Sequence, residues 1–134
     1  MALGLRGMKD GLVKGMGGMS TQLKTQAAAV TAVAYAASGA IAPADNVVDL
    51  NNVSKIAMTI AESGRDVGRI LVITQIDAGT AGHTVTLTGT GCTFDGTNNT
   101  ATFNAQYEAL VLLCISDKRF LILKNYGSVA LSAV

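Results

Sequence analysis

From about residue 29 to the end of the chain, apolar residues occur in short runs that are separated by turn residues. Residues 69–76 and 109–115 are nearly continuous apolar runs, which predict central or buried strands. Residues 83–88 alternate, so that Val85 and Leu87 share one face of a strand and threonines occupy the other. Further strands are predicted at residues 47–50, 56–60, 100–103, 120–124 and 127–131, with a hairpin turn at 95–99 that leads from 93–94 into 100–103.

The spacing of these strands predicts the fold class. They recur about every ten residues without a long helical pattern between them, which is typical of an all-β protein with a single antiparallel β-sandwich or barrel domain. A chain of 134 residues is long enough for one such domain and too short for two. We therefore divide it into an N-terminal arm, residues 1–28, and a β-rich oligomerising domain, residues 29–134. The alanine-rich residues 27–42 fit a strand by alternation and a helix by propensity.

The N-terminal arm has a different pattern. Apolar residues recur there at three- and four-residue spacing, as in a helix, and glycines recur at the same spacing. Because each glycine costs a helix roughly 1 kcal/mol relative to alanine, we expect either an extended or disordered arm, or a helix that forms only against a partner. The first 25 residues carry a charge of +3, from Arg6, Lys9, Lys14 and Lys24 against Asp10. Such an arm can dock on an acidic protein surface, and it could meet nucleic acid or anionic lipid in the same way. The alternative is that the lysines simply keep a glycine- and methionine-rich arm soluble.

Composition indicates that the β-rich domain associates. Apolar residues make up 49% of the chain and charged residues only 14%, whereas about a quarter of a typical protein is charged. We therefore expect part of the apolar surface to be buried against other copies. Aromatic residues total 4%, which disfavours a nucleic-acid site built on stacking. Residues 25–44 are uncharged but too weakly apolar for a membrane span, so we expect neither nucleic acid nor membrane as a partner.

The sequence offers little for catalysis or for binding a cofactor. His83 is the only histidine, and no motif supplies further zinc ligands, so a satisfied or rim histidine is favoured. Cys92 and Cys114 could in principle pair, but buried thiols are favoured over a disulfide. The oxygen-rich residues 95–99 lack the regular ligand spacing of a calcium loop. We predict no catalytic residue, no metal, no cofactor and no enzymatic activity.

Strand and turn motifs follow one another between roughly residues 45 and 132. They are VITQ at 72–75, HTVTL at 83–87, TFDG at 93–96, TFNA at 102–105, EALVL at 108–112, KRFLIL at 118–123 and GSVAL at 127–131. This series resembles small β-rich proteins of tailed-bacteriophage virions, which include capsid decoration (cement) proteins and head-fibre or tail-fibre modules. The resemblance implies a non-enzymatic virion subunit, commonly a homotrimer, that often holds the shell by an N-terminal arm.

We therefore expect a capsid decoration protein on the exterior of the virion, whose partner is the major capsid protein. The alternative is a tail-fibre or head-fibre adhesion module that binds a host surface glycan or receptor. Arms in this class vary too much for contacts to be carried over residue by residue, and the glycine stripe of this arm is unusual for the class. From the arm itself, the expected capsid contacts are Leu5, Arg6, Met8, Lys9, Leu12, Lys14 and Met16.

Overall fold

The computed structural model describes residues 30–61, 66–79 and 82–134. Every regular element within these ranges is a strand, which confirms the all-β class. Residues Ala32–Val134 form one compact unit, and the predicted arm, residues 1–28, lies outside the described residues. The strands are β1 (Ala32–Tyr35), β2 (Gly39–Ala40), β3 (Val47–Leu50), β4 (Ala57–Ile60), β5 (Ile70–Gln75), β6 (His83–Leu87), β7 (Thr100–Phe103), β8 (Ala109–Ser116), β9 (Arg119–Tyr126) and β10 (Ala130–Ser132).

The strands form two five-stranded sheets. Sheet A has the order β1-β3-β5-β8-β9, and sheet B has the order β10-β7-β6-β4-β2. The first six strands alternate between the sheets, so the chain crosses from one sheet to the other at each of these connections. Apolar side chains on the inner faces of both sheets pack together in one core, which makes the domain sandwich-like.

The sheets are mixed rather than antiparallel, and they do not close into a barrel. In sheet A, β1, β3 and β5 are parallel, and in sheet B the same holds for β2, β4 and β6. Antiparallel pairs occur among the later strands, such as β6 with β7 and β8 with β9. The prediction of an antiparallel sandwich or barrel is therefore wrong in its pairing. Consecutive early strands belong to opposite sheets, so each parallel neighbour comes from the next pass of the chain and runs in the same direction.

The turn at residues 95–99 connects different partners from those predicted. Strand β7 pairs with β6 and not with residues 93–94. Thr93 instead forms an isolated bridge with Arg119, at the start of β9. Asp95 closes the turn by accepting hydrogen bonds from two backbone N–H groups that follow it. The loop therefore lies against β9 rather than forming one arm of a hairpin.

Burial confirms the predicted orientation of the alternating strands. Val85 and Leu87 are buried in the core, while the threonines of β6 face outward. The middle strand of sheet A is β5, as its apolar run predicts. Within the alanine-rich segment the strand alternative is correct, because Ala32–Tyr35 forms β1. Cys92 and Cys114 are buried thiols, as expected.

Candidate functional site

The outer face of sheet A is apolar. Alternate residues of β3, β5, β8 and β9 point away from the core, and most of them are aliphatic. Close to half of the surface of Ile70, Leu121 and Leu123 is exposed, at 48%, 49% and 46%. We use the name "outer face of sheet A" for the surface whose aliphatic members are Val47, Ile70, Val72, Val111, Leu113, Ile115, Leu121 and Leu123.

The strand register joins these side chains into rows across the sheet. Neighbouring strands lie about 4.8 Å apart, so opposed side chains on the same face of the sheet are neighbours in a row. Single exposed aliphatic residues are normal on any protein, whereas a contiguous apolar patch marks a contact surface. The two adjoining rows are Val47–Val72–Val111 and Ile70–Leu113–Leu121.

Two charged side chains border this surface on opposite flanks. Asp49 lies on β3 and Lys124 on β9, with β5 and β8 between them. The Lys124 Nζ lies 5.4 Å from the centre of the Tyr126 ring, a distance at which the ring face attracts a cation. Arg119, the other basic residue of β9, lies against Gly96, where an added Cβ would be 2.6 Å from the guanidinium. The outer face of sheet A thus has one negative and one positive flank.

The outer face of sheet B has the opposite character. The outward positions of β4, β6 and β7 are mostly threonine. Threonine suits the solvated face of a strand, because its branched side chain fits the extended backbone and its hydroxyl remains available to water. The hydroxyl oxygens of Thr86 and Thr100 lie 3.0 Å apart and form a hydrogen bond, and Thr100 itself is buried. The other outward threonines are Thr59, Thr84 and Thr102.

A buried pair of a histidine and a carboxylate lies inside the domain. His83 is fully buried, and its Nε2 is 2.7 Å from Asp77 Oδ2. Its Nδ1 accepts a hydrogen bond of 3.1 Å from the backbone N–H of Ile56, so Nε2 carries the ring N–H and donates a hydrogen bond to Asp77. Both ring nitrogens are therefore occupied, and neither is left to act as a base towards a substrate. The interpretation of His83 as a satisfied histidine is confirmed.

Polar contacts extend from this pair into the connection after β5. Asp77 accepts a hydrogen bond of 2.8 Å from the backbone N–H of Gly79. Gln75 is fully buried and donates through Nε2 to the Gly79 carbonyl. The Gln75 Oε1 accepts no hydrogen bond among the described residues. These contacts tie the end of β5 in sheet A to the start of β6 in sheet B.

The pKa of Asp77 lies below its ordinary value in the folded protein. Burial alone would raise it, but hydrogen bonds from His83, from Gly79 and from the backbone of Asn52 outweigh burial. A carboxyl with a depressed folded pKa stabilises the fold above its unfolded pKa of about 3.9, and this stability is lost as the pH falls through the folded value. We therefore predict that Asp77→Asn weakens the loss of stability in acid, measured as the urea midpoint against pH.

The control for this prediction is Asp117→Asn, which removes a carboxyl from the exposed turn between β8 and β9. We expect the control to keep the acid dependence of the unmodified chain. Equal pH profiles for Asp77→Asn and the unmodified chain would show that the buried carboxyl does not contribute to acid sensitivity.

The predicted capsid-contact residues all lie outside the described residues and stay a prediction: Leu5, Arg6, Met8, Lys9, Leu12, Lys14 and Met16.

Within the described ranges, no group of three or more His, Cys, Asp and Glu side chains is placed to hold a metal ion. No helix in the part of the chain that the structure describes is long and apolar enough to cross a bilayer. Sequence reasoning did not locate the outer face of sheet A, although the continuous apolar runs of β5 and β8 are the signal that could have done so.

No protein-family model matches the sequence, and no curated protein matches it either. The class of protein is therefore defined by the fold and the surface alone. It is an all-β, sandwich-like domain of two mixed five-stranded sheets, with one apolar outer face and one lined by hydroxyl groups.

Proposed function

We propose that this chain is a structural subunit of a tailed-bacteriophage virion, a capsid decoration (cement) protein that binds the assembled shell from outside and stabilises it. The motifs between roughly residues 45 and 132 support the proposal by resemblance. The observation that carries it is the contrast between the two outer faces of the domain. The apolar face suits contact with other subunits, and the hydroxyl-lined face suits water. In this proposal the chain has no enzymatic activity.

The mechanism is mass action. A protein that binds the assembled shell but not its dissociated subunits shifts the assembly equilibrium towards the shell. A homotrimer carries three arms, and each arm that is bound raises the effective concentration of the other two. The arm supplies both kinds of contact to the major capsid protein, through the basic Arg6, Lys9 and Lys14 and the apolar Leu5, Met8, Leu12 and Met16.

Deletion of residues 1–25 is expected to leave a folded oligomer that no longer binds the shell. The measurement is cosedimentation with shells assembled from the major capsid protein of the same genome. A full-length variant with Arg6→Glu, Lys9→Glu and Lys14→Glu keeps the length of the arm and reverses its charge, so loss of binding in this variant assigns the effect to the basic residues. Normal decoration by the truncated protein would rule out the arm as the point of attachment.

A second candidate is a fibre module that adheres to a host surface glycan or receptor. The outer face of sheet B favours it, because aligned threonine hydroxyls both donate and accept hydrogen bonds. Glycan-array binding that disappears in Thr84→Val with Thr102→Val would support this function. Binding to no glycan and to no host cell would count against it.

A further inference from the structure

The sequence of sheet A has the pattern of a sheet that is covered on both faces. Strands buried on both faces read as continuous apolar runs, whereas strands with one solvated face alternate. β5 and β8 are of the first kind, and β6 is of the second. Within the described ranges the core covers only the inner face of sheet A. The outer face therefore has the composition of a buried surface and remains substantially exposed.

We propose that a second copy of this chain covers the outer face of sheet A. The proposal rests on the proposed function, because it names the surface through which the decoration subunit would oligomerise. A second copy is favoured over an unrelated partner because the face is complementary to itself in charge and in composition.

The charge complementarity follows from the positions of Asp49 and Lys124. Rotation about an axis parallel to the strands, whether twofold or threefold, brings the β3 flank of one copy to the β9 flank of its neighbour. Asp49 of each copy then lies near Lys124 of the next, and like charges stay apart. Such pairs at the rim of an interface set the register of the two partners and disfavour other arrangements. The rows between the flanks are aliphatic in both copies.

The size of the face fits a small, reversible contact between copies. The four strands that carry the face and its charged flanks, β3, β5, β8 and β9, comprise 26 residues. With about 4.8 Å between strands and about 3.3 Å per residue, they cover roughly 400 Å². Two such faces together bury about 800 Å², the size of a weak interface. An aliphatic centre with charged residues only at its rim is the usual composition of such an interface.

A charge swap in the full chain tests the pairing. Asp49→Lys puts two lysines at each contact, and Lys124→Asp puts two aspartates there. Each single variant is expected to raise the dissociation constant of the oligomer at least about tenfold, measured by sedimentation equilibrium. The double variant, Asp49→Lys with Lys124→Asp, restores opposite charges and is expected to recover the mass of the unmodified oligomer. A damaged fold would not be repaired by a second charge reversal.

A second pair of variants tests the apolar rows. Ile70→Asp introduces a carboxylate at a side chain that is 48% exposed, so the single chain should still fold while its association is abolished. Thr84→Asp places the same charge on the outer face of sheet B and is the matched control, expected to keep the mass of the oligomer. Circular dichroism of each variant monitors the fold.

Three results would overturn the proposed interface. They are a single-chain mass at every concentration, single variants that keep the oligomer, and a double variant that does not recover it. The proposed function fails separately. An oligomer that responds to the charge swap but does not cosediment with shells would refute the decoration function and support the interface. A monomer that cosediments with shells would refute the interface and support the decoration function.

Discussion

Replacing His83 by leucine is expected to lower the free energy of unfolding by about 3–5 kcal/mol. The substitution leaves the Asp77 carboxylate buried without the imidazole that lies 2.7 Å away. It also removes the acceptor of the Ile56 N–H, and an unsatisfied buried donor costs about 1–3 kcal/mol. Urea unfolding at one fixed chain concentration measures the change, because the proposed oligomerisation would make stability depend on concentration.

The double variant His83→Leu with Asp77→Leu separates the buried charge from the loss of shape. We expect it to be more stable than His83→Leu alone, because the carboxylate that lost its partner is also removed. If the free energy of unfolding of His83→Leu lies within about 1 kcal/mol of that of the unmodified chain, the buried pair contributes little more to stability than an ordinary surface contact.

Replacing Phe94 by alanine is expected to lower the free energy of unfolding by about 3–5 kcal/mol. Phe94 is fully buried although it lies in a loop, and its ring centre is 6.2 Å from that of Phe120 on β9. The substitution leaves a cavity in the core and loosens the loop whose preceding residue, Thr93, bridges to β9. Urea unfolding measures the cost, and hydrogen exchange of the Thr93 amide, which is bonded to the Lys118 carbonyl, reports the loosening.

Tyr107→Ala is the control for this second prediction. Tyr107 is 70% exposed, so its ring contributes little to the core. The free energy of unfolding is expected to change by no more than about 0.5 kcal/mol. Its backbone has a positive φ of 67°, and alanine is strained there much as tyrosine is. Equal costs at the two positions would show that the ring of Phe94 does not anchor its loop.

The positions of most strands could be predicted because alternation is a local property. Residues 47–50 were predicted and are observed as β3, and the inward orientation of Val85 and Leu87 follows from the period of two. Pairing could not be predicted in the same way. Alternation states which side chains face the core, but a turn looks the same whether the chain returns to its own sheet or crosses to the other. The parallel pairing of β3 with β5 depends on that difference.

The sequence predicts that the domain has an apolar contact surface, but not which face of which sheet forms it. Low charge and high apolar content predict that copies associate, but the apolar run of β5 contains residues of both faces, and only packing decides which face is inner. The buried pair shows a similar limit. The strand pattern places His83 on the core side, whereas Asp77 lies six residues earlier in a connection whose conformation no periodic pattern sets.

We propose above that copies of this chain hide the outer face of sheet A from water. The most direct test is the mass of the unmodified full chain by sedimentation equilibrium across a concentration series. We expect a whole multiple of 13.7 kDa, three chains for the proposed homotrimer, and a mass of one chain in Ile70→Asp. A mass of one chain at the highest concentration reached would contradict it.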